Sequence, residues 1–351
     1  MPETEQERET AARLRKYLSE LLGEPVEVAT LERMEGGWSR QTHRLLLRTA
    51  TGSDLALCLR SEVTAGVSER NLDREWRVMS AVAGGDVPMP ILHGFEETGD
   101  VTGERFIVMD WVPGDVPNPW RRGGKKYLAE AGRRGRLGPD WARAVGRLHT
   151  AEVGARLQAA GIDEGLTSAG HVRREVDHWT EQVMRTTNHP GALVVEACHW
   201  LDHNLPAAPD PPVALHGDLR MGNLIIADDR VAAFLDWETA GLGDWRADLG
   251  YCLMPYNGGK LLEAEPPSAG GLMHPEAFLE HYAAETKRFL QPRDALYFMI
   301  LGSVKMIAIF CAGIDEYTAG NTIDPRYAWL SIPLAGLVDD LQTLLDADSP
   351  W

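Results

Sequence analysis

The apolar pattern changes period partway along the chain, so neither one open sheet nor one helical bundle accommodates the whole of it. Through the first 110 residues the apolar side chains fall in short runs, VEVATLERM, THRLLLRT, DLALCLR and FIVMD, with turn-like ATGS between the second and third. Runs of this length bounded by turn residues predict strands, and ATGS predicts an antiparallel hairpin. A helix is predicted over Glu5 to Leu22, where Ala11, Leu14, Leu18 and Leu21 share a face before Gly23 and Pro25. Another is predicted over about Ser68 to Ala83, from Leu72, Trp76, Met79 and Val82. From about Pro139 the spacing becomes three and four. Trp141, Ala144, Val145 and Leu148 form one stripe, Val172, Val176, Trp179 and Val183 a second, and Leu193, Ala197 and Leu201 a third. Helices are predicted again near His274 to Phe289, Asp294 to Cys311 and Ala328 to Leu345. The expected fold class is therefore α+β. A small β-rich lobe spans residues 1–110, a connector with a basic segment 111–136, and a larger mainly helical lobe 137–351, with a cleft between the lobes where small ligands commonly bind.

Charge narrows the classes of partner. The 351 residues carry 35 Lys plus Arg against 52 Asp plus Glu, a net charge of −17. A field of that sign opposes polyanions, so no nucleic acid and no anionic membrane surface is expected as partner. The charge is uneven: RRGGKKYLAEAGRRGR, Arg121 to Arg136, holds seven basic residues and one acidic, a local +6. Cys58, Cys198, Cys252 and Cys311 are far apart, which predicts reduced thiols rather than a disulfide framework. The N-terminal MPETEQERET is acidic where a secretory leader would be basic and then apolar, so a cytoplasmic location is expected. The apolar stretch Ala295 to Phe310 carries Lys305 and Gly302 and reads as a buried helix rather than a membrane span.

One β-rich interruption in the helical half, VALHGDLRMGNLIIADDRVAAFLDWE, concentrates polar residues. His216, Asp218, Asn223 and Asp236 occur there, with Glu238, Asp244 and Asp248 close by. If Asn223 begins one strand and Asp236 ends its antiparallel partner, a hairpin brings an amide oxygen and a carboxylate to the same open end. Hard oxygen ligands of this kind suit Mg²⁺, which takes its remaining ligands from water and substrate phosphates and so implies a nucleotide. Asp218, five residues before Asn223, is placed to orient an acceptor hydroxyl. On chemistry alone the set reads equally well as solvated turn residues beside a hairpin.

HGDLRMGN at 216–223, FLDWE at 234–238 and GLGDWRADLG at 241–250 together resemble the aminoglycoside phosphotransferase-like kinases. The combination is most similar to the group containing the kinase-like N-terminal domains of some acyl-CoA dehydrogenase proteins. The resemblance covers roughly residues 25–310. It implies a protein-kinase-like two-lobed fold and phosphorylation of a small-molecule hydroxyl with ATP and Mg²⁺ as cofactors. By the same resemblance Asp218 is the catalytic aspartate, and Asn223 and Asp236 are the metal ligands. His216 is read as a structural support, and Asp244 and Asp248 as braces of the catalytic segment. Glu238 stands between bracing and substrate binding.

On the nucleotide side, Gly36, Gly37 and Ser39 in EGGWSRQTHRL resemble the family's glycine-rich loop, with Ser39 as a phosphate contact. Arg60 and Glu75 are placed to pair across the small lobe, and the resemblance casts Arg60 as the clamp on the α- and β-phosphates in place of the more usual lysine. Met109, Asp110, Trp111 and Val112 fall where the lobe connector would run, and the resemblance implies that backbone groups there bind the adenine.

No short motif marks the acceptor. The basic segment 121–136 either folds over the large-lobe entrance, favouring an anionic hydroxy acid or hydroxyacyl-CoA, or is a solvated, glycine-containing insert. An aminoglycoside or other antibiotic is the alternative acceptor. A catalytically idle nucleotide-binding protein and a metal-dependent phosphohydrolase are the alternative functions, and a monomer and a homodimer are both open.

Overall fold

The computed structural model describes residues 5–34, 40–62, 72–187, 191–208, 210–259 and 268–350. Gly36, Gly37 and Ser39 lie outside the described residues. Helix α1 (Glu5–Leu22) precedes β1 (Val26–Arg33), β2 (Arg40–Thr49) and β3 (Asp54–Glu62), and α2 (Leu72–Ala83) precedes β4 (Leu92–Glu96) and β5 (Phe106–Asp110). These strands form one antiparallel sheet in the order β1-β2-β3-β5-β4. The ATGS turn joins β2 to β3 as the sequence predicts, with Arg48 opposite Asp54 and Leu45 opposite Leu57. Strand alternation sends Leu45, Leu47, Leu57, Leu59, Phe106 and Val108 to one face, where Leu14 and Leu18 of α1 cover them. Ile107 and Met109 point to the other face and join Leu72, Val78, Met79 and Val82 of α2 in the main core.

Helix α2 is held by both lobes. Its Arg74 donates to the Ala240 carbonyl and pairs with Asp163 at 3.0 Å, and its Arg77 donates to the Ala160 carbonyl. Arg156 returns a bond to the carbonyl of Gly84, just past the helix end, at 2.6 Å. Asp163 also accepts from the Leu242 N–H at 3.0 Å, so one carboxylate joins α2 to the larger lobe.

The larger lobe contains α3 (Arg122–Arg134), α4 (Leu137–Leu148), α5 (Ala151–Ala159), α6 (Ser168–Arg185), α7 (Ala192–His203), β6 (Val213–Leu215), β7 (Leu224–Ala227), β8 (Arg230–Phe234), β9 (Gly241–Gly243), α8 (Trp245–Leu253), α9 (Pro275–Thr286), α10 (Pro292–Thr318), α11 (Pro325–Trp329) and α12 (Ser331–Leu345). Three differences from expectation have physical causes. The basic segment is a helix, α3, because Leu128 and Ala131 give it a buried stripe and Gly135 ends it in the left-handed conformation. Its Arg134 pairs with Asp229 at 2.6 Å, neutralising part of the local positive charge. The apolar stretch around Lys305 belongs to a 27-residue helix, α10, longer than read. By length and hydropathy α10 could cross a membrane, but 83% of its most apolar window is buried inside the protein. The last predicted helix is broken at Leu330, and Pro333 falls in the first turn of α12, where its missing N–H removes no intrahelical bond. Gly250 lets α8 press on α10: a Cβ there would lie 2.4 Å from the Phe298 side chain. Tyr251, the next residue, donates its hydroxyl to Asp218.

Candidate active site

Strands β7 and β8 form a two-residue hairpin whose central Asp228 and Asp229 both have positive φ, 52° and 57°, as a tight turn matched to strand twist requires. Leu224 faces Phe234, and Leu235 N–H donates to the Asn223 carbonyl at 2.8 Å. Asn223 and Asp236 therefore flank the same end of the hairpin, one just before β7 and the other two residues beyond β8. Asp236 is itself left-handed, with φ 66° and ψ 63°, a strained state for a non-glycine residue and one that clusters at functional sites.

Asp218 lies on the loop leading from β6 into a 3-10 turn, Met221–Asn223. Its carboxylate is caught by three side chains. Tyr251 O–H donates to Oδ1 at 2.7 Å, Asn223 Nδ2 to Oδ2 at 2.7 Å, and Arg220 Nε lies 3.2 Å from each oxygen. Burial pushes the carboxyl's pKa up, but Arg220, the Tyr251 hydroxyl and nearby Lys305 outweigh it and hold the group down at about 2. Asp218 is thus a carboxylate at neutral pH. It can orient a hydroxyl and accept its proton only as the new bond forms.

Asn223 also donates Nδ2 to the Asp218 carbonyl at 2.9 Å, which leaves its Oδ1 as the side-chain atom available to a cation. The described residues hold no cluster of three or more His, Cys, Asp or Glu suited to a metal. The chemistry offered is one amide oxygen and one carboxylate. That set fits Mg²⁺, which keeps waters and takes phosphate oxygens, better than a metal needing a full protein cage.

The loop's brace is Asp248. It accepts from the N–H groups of His216 at 2.7 Å and Gly217 at 2.9 Å, and His149 Nε2 lies at 3.2 Å. Burial works against its ionisation, and the His149 bond, the charge around it and the His216 N–H more than offset this, lowering its pKa. His216 Nε2 lies 2.8 Å from the Leu235 carbonyl while Nδ1 accepts from Asp218 N–H at 3.3 Å. Both ring nitrogens are engaged, which suits a support and not a base. Asp244 takes a different place. It caps α8 through Arg246 N–H at 3.0 Å and pairs with the Arg246 guanidinium at 2.6 Å, so it braces that helix instead of the loop. Glu238 lies on the short turn Trp237–Thr239 that follows Asp236.

Across the cleft, Arg60 Nε is 2.8 Å from Glu75 and Arg60 Nη2 is 2.7 Å from Asp236. Burial lowers the affinity of Arg60 for its proton, but Glu75 and Asp236 raise it further, so the cation is secure. Glu75 is shared with a second arginine, Arg40 of β2, at 3.3 Å. Met109 is a core residue on the sheet. The N–H groups of Asp110 and Trp111 donate to the carbonyls of Ile91 and Ala56, at 2.8 and 3.1 Å. The Asp110 carboxylate lies 2.6 Å from His93, and the Trp111 ring is covered by the Arg44 guanidinium at 5.0 Å. Val112 follows as the next connector residue beyond these sheet bonds.

Four residues at the site escaped the sequence argument: Arg40, Arg220, Tyr251 and Lys305. Lys305 Nζ donates to the Gly217 carbonyl at 2.6 Å and lies over the rings of Tyr251 and Trp179 at 5.1 and 5.5 Å. A lone lysine inside an otherwise apolar helix was its visible signal. Arg220 lies over Trp120 at 5.8 Å, and Trp120 Nε1 donates to the Tyr256 carbonyl at 2.9 Å.

Known proteins are similar to this chain in sequence and in fold. The family model of the phosphotransferase enzyme family, APH, matches residues 30–283. Acyl-CoA dehydrogenase family member 10 of Mus musculus is 29% identical over 269 residues, covering 73% of this chain and 24% of that protein. Member 11 of Gallus gallus is 31% identical over 190 residues, covering 53% and 23%. The chain spans about a quarter of the length of these two relatives. Among solved structures, a protein of Ralstonia eutropha JMP134 described as a candidate aminoglycoside phosphotransferase superposes with a TM-score of 0.73 at 20% identity, covering 95% of this chain and 97% of that one. Macrolide 2'-phosphotransferase MphH of Brachybacterium faecium does so with a TM-score of 0.57 at 20% identity, covering 95% and 98%. With a small β-sheet lobe, a larger helical lobe and a family match over most of its length, the chain belongs to the phosphotransferase enzyme family.

Proposed function

We propose that the protein transfers the γ-phosphoryl group of ATP, in a Mg²⁺-dependent reaction, to a hydroxyl of an anionic small molecule such as a hydroxy acid or hydroxyacyl-CoA. The observation that carries the acceptor class is the pair of cations beside Asp218: Arg220 on its carboxylate, and Lys305 on the carbonyl of the preceding residue. Trp120, Tyr256 and Trp179 supply flat apolar surface next to them. Asn223 and Asp236 would hold the metal, which supplies charge neutralisation on the phosphate oxygens when bound. Arg60, steadied by Glu75, faces the phosphates, and adenine recognition falls to the connector backbone around Val112. Asp218 positions the acceptor hydroxyl and receives its proton. The family stretch within acyl-CoA dehydrogenase family members is consistent with an acyl-bearing acceptor.

A second reading, phosphorylation of an aminoglycoside or another antibiotic, is favoured by those solved structures that are named as aminoglycoside or macrolide phosphotransferases, beside a choline/ethanolamine kinase family protein and a candidate fructosamine-3-kinase. It also draws on the net charge of −17, which suits a cationic acceptor. Against it, a polycation would approach Asp218 past Arg220 and Lys305. An ATP- and Mg²⁺-dependent screen of hydroxy acids, hydroxyacyl-CoAs, aminoglycosides, macrolides, amino alcohols and sugars separates the two. Asp218→Asn is its control, with an expected loss of about 10²–10⁴-fold in kcat and retained nucleotide affinity. Turnover of aminoglycosides alone would remove the anionic acceptor.

A further inference from the structure

A carboxylate offers about four lone-pair sites. On Asp218 three donors share them: Tyr251 O–H on Oδ1, Asn223 Nδ2 on Oδ2, and the single Arg220 Nε–H set between the two oxygens at 3.2 Å from each. The position facing both oxygens is held by Arg220, and an acceptor hydroxyl reaches it when the guanidinium leaves. Tyr251 is fastened by burial and by Lys305 on its ring, and Asn223 by a second bond to the Asp218 carbonyl. Arg220 has the longest contacts, a side chain 27% exposed, and an aromatic shelf, Trp120, beside it.

We infer that Arg220 is a specificity-determining placeholder, sitting where the acceptor hydroxyl must sit and drawn away by an anionic group on the acceptor. This rests on the phosphotransferase reading above and deepens it. A carboxylate or phosphate on the incoming molecule offers the guanidinium a bidentate partner of equal charge. Arg220 then exchanges one anion for another, and the neighbouring hydroxyl takes the vacated side of Asp218. A neutral or cationic alcohol gives Arg220 no such exchange. The same device restrains wasteful hydrolysis. With Arg220 in place, water also lacks a seat on Asp218. Without it, water oxygen can attack the γ-phosphorus as the bond to the ADP oxygen breaks, the water proton passing through Asp218 to the products, ADP and inorganic phosphate.

The test needs no identified acceptor. Phosphate release from Mg²⁺-ATP is measured for the wild-type full chain, for Arg220→Met and for Arg220→Met combined with Asp218→Asn, with ATP binding followed by calorimetry. Expected is a several-fold faster hydrolysis in Arg220→Met that the added Asp218→Asn abolishes. In the wild type, butyrate, an anion without a hydroxyl, should stimulate hydrolysis several-fold and butylamine should not. Hydrolysis unchanged or slowed in Arg220→Met while ATP still binds would overturn the inference, as would a wild type indifferent to butyrate. The butyrate measurement stands even if the variant fails to fold. A wild type that does not bind Mg²⁺-ATP at all would bring down the phosphotransferase reading, and this inference with it.

Discussion

Arg60 on the third strand of the small lobe and Asp236 beyond the β7–β8 hairpin meet side chain to side chain at 2.7 Å, across 176 residues of sequence. Glu75 holds the other side of the guanidinium at 2.8 Å, and Arg40 holds Glu75 at 3.3 Å. The four form one chain of alternating charges from the sheet to the Asp236 carboxylate. Glu75 and Arg40 are buried, so removing Arg60 leaves a carboxylate with reduced compensation in a poorly solvated place.

Arg60→Met is expected to weaken ATP binding and to lower folding stability by about 3 kcal/mol, the scale for breaking a buried pair from one side. Arg60→Lys should recover part of the affinity, because it restores the charge without the two-sided fork. Nucleotide titration and urea unfolding of both variants check this. Equal ATP affinity in wild type and Arg60→Met would exclude a phosphate clamp here.

Asp218 ionises at about 2 in the folded protein against an ordinary 3.8. The folded pKa is depressed, so its contribution to stability is present above the ordinary value and is lost as pH falls toward about 2. The contribution is roughly 2 kcal/mol. Urea midpoints should therefore drop more steeply for the wild type than for Asp218→Asn between about pH 4 and about pH 2. The rate of transfer should show no acid limb from Asp218 near neutrality. Parallel stability curves for the two proteins would contradict the assignment.

Tyr251→Phe removes one bond to a charged oxygen and little else, since the ring still packs under Lys305. A bond of this kind contributes about 1.5–3 kcal/mol, so kcat should fall about 10- to 100-fold while KM for ATP stays near its wild-type value. Steady-state kinetics with any accepted alcohol reads this directly. A change confined to the nucleotide KM would place Tyr251 elsewhere in the mechanism.

Gly217, between His216 and Asp218, has φ +80°, and a Cβ on it would lie 2.6 Å from the Thr239 carbonyl oxygen. Gly217→Ala therefore meets both backbone strain and a clash with main chain that cannot rotate away. A loss of about 2 kcal/mol or more in stability is expected, with activity reduced beyond that. Thermal unfolding alongside initial rates checks it, and wild-type behaviour in both would show the loop to be looser than its hydrogen bonds imply.

The sequence made the α+β class, the hairpin ends at Asn223 and Asp236, and the possible pairing of Arg60 with Glu75 readable, because each depends on local periodicity or on a motif contiguous in the chain. Tyr251 and Lys305 were not readable as site residues. Their contacts with the Asp218 loop depend on α8 lying against α10 at Gly250 and Phe298, a packing relationship that no window of sequence records. The helicity of α3 was hidden for a related reason. Its glycines and charges argue for a loop, and only the burial of Leu128 and Ala131 decides otherwise. Arg220 stood inside the quoted motif, but its bridging of both Asp218 oxygens is a matter of rotamer and not of spacing.

Helix α2 is fastened to the larger lobe through Arg74, Arg77 and Arg156 and to the sheet through Glu75 and Asp73, so it is a tether between the two lobes. Glu75 lies on that tether and Asp236 on the larger lobe, so a parting of Arg60 from Asp236 would leave the guanidinium still held by Glu75. Amide exchange should be faster in β1, an edge strand, than in β5, which has a neighbour on either side.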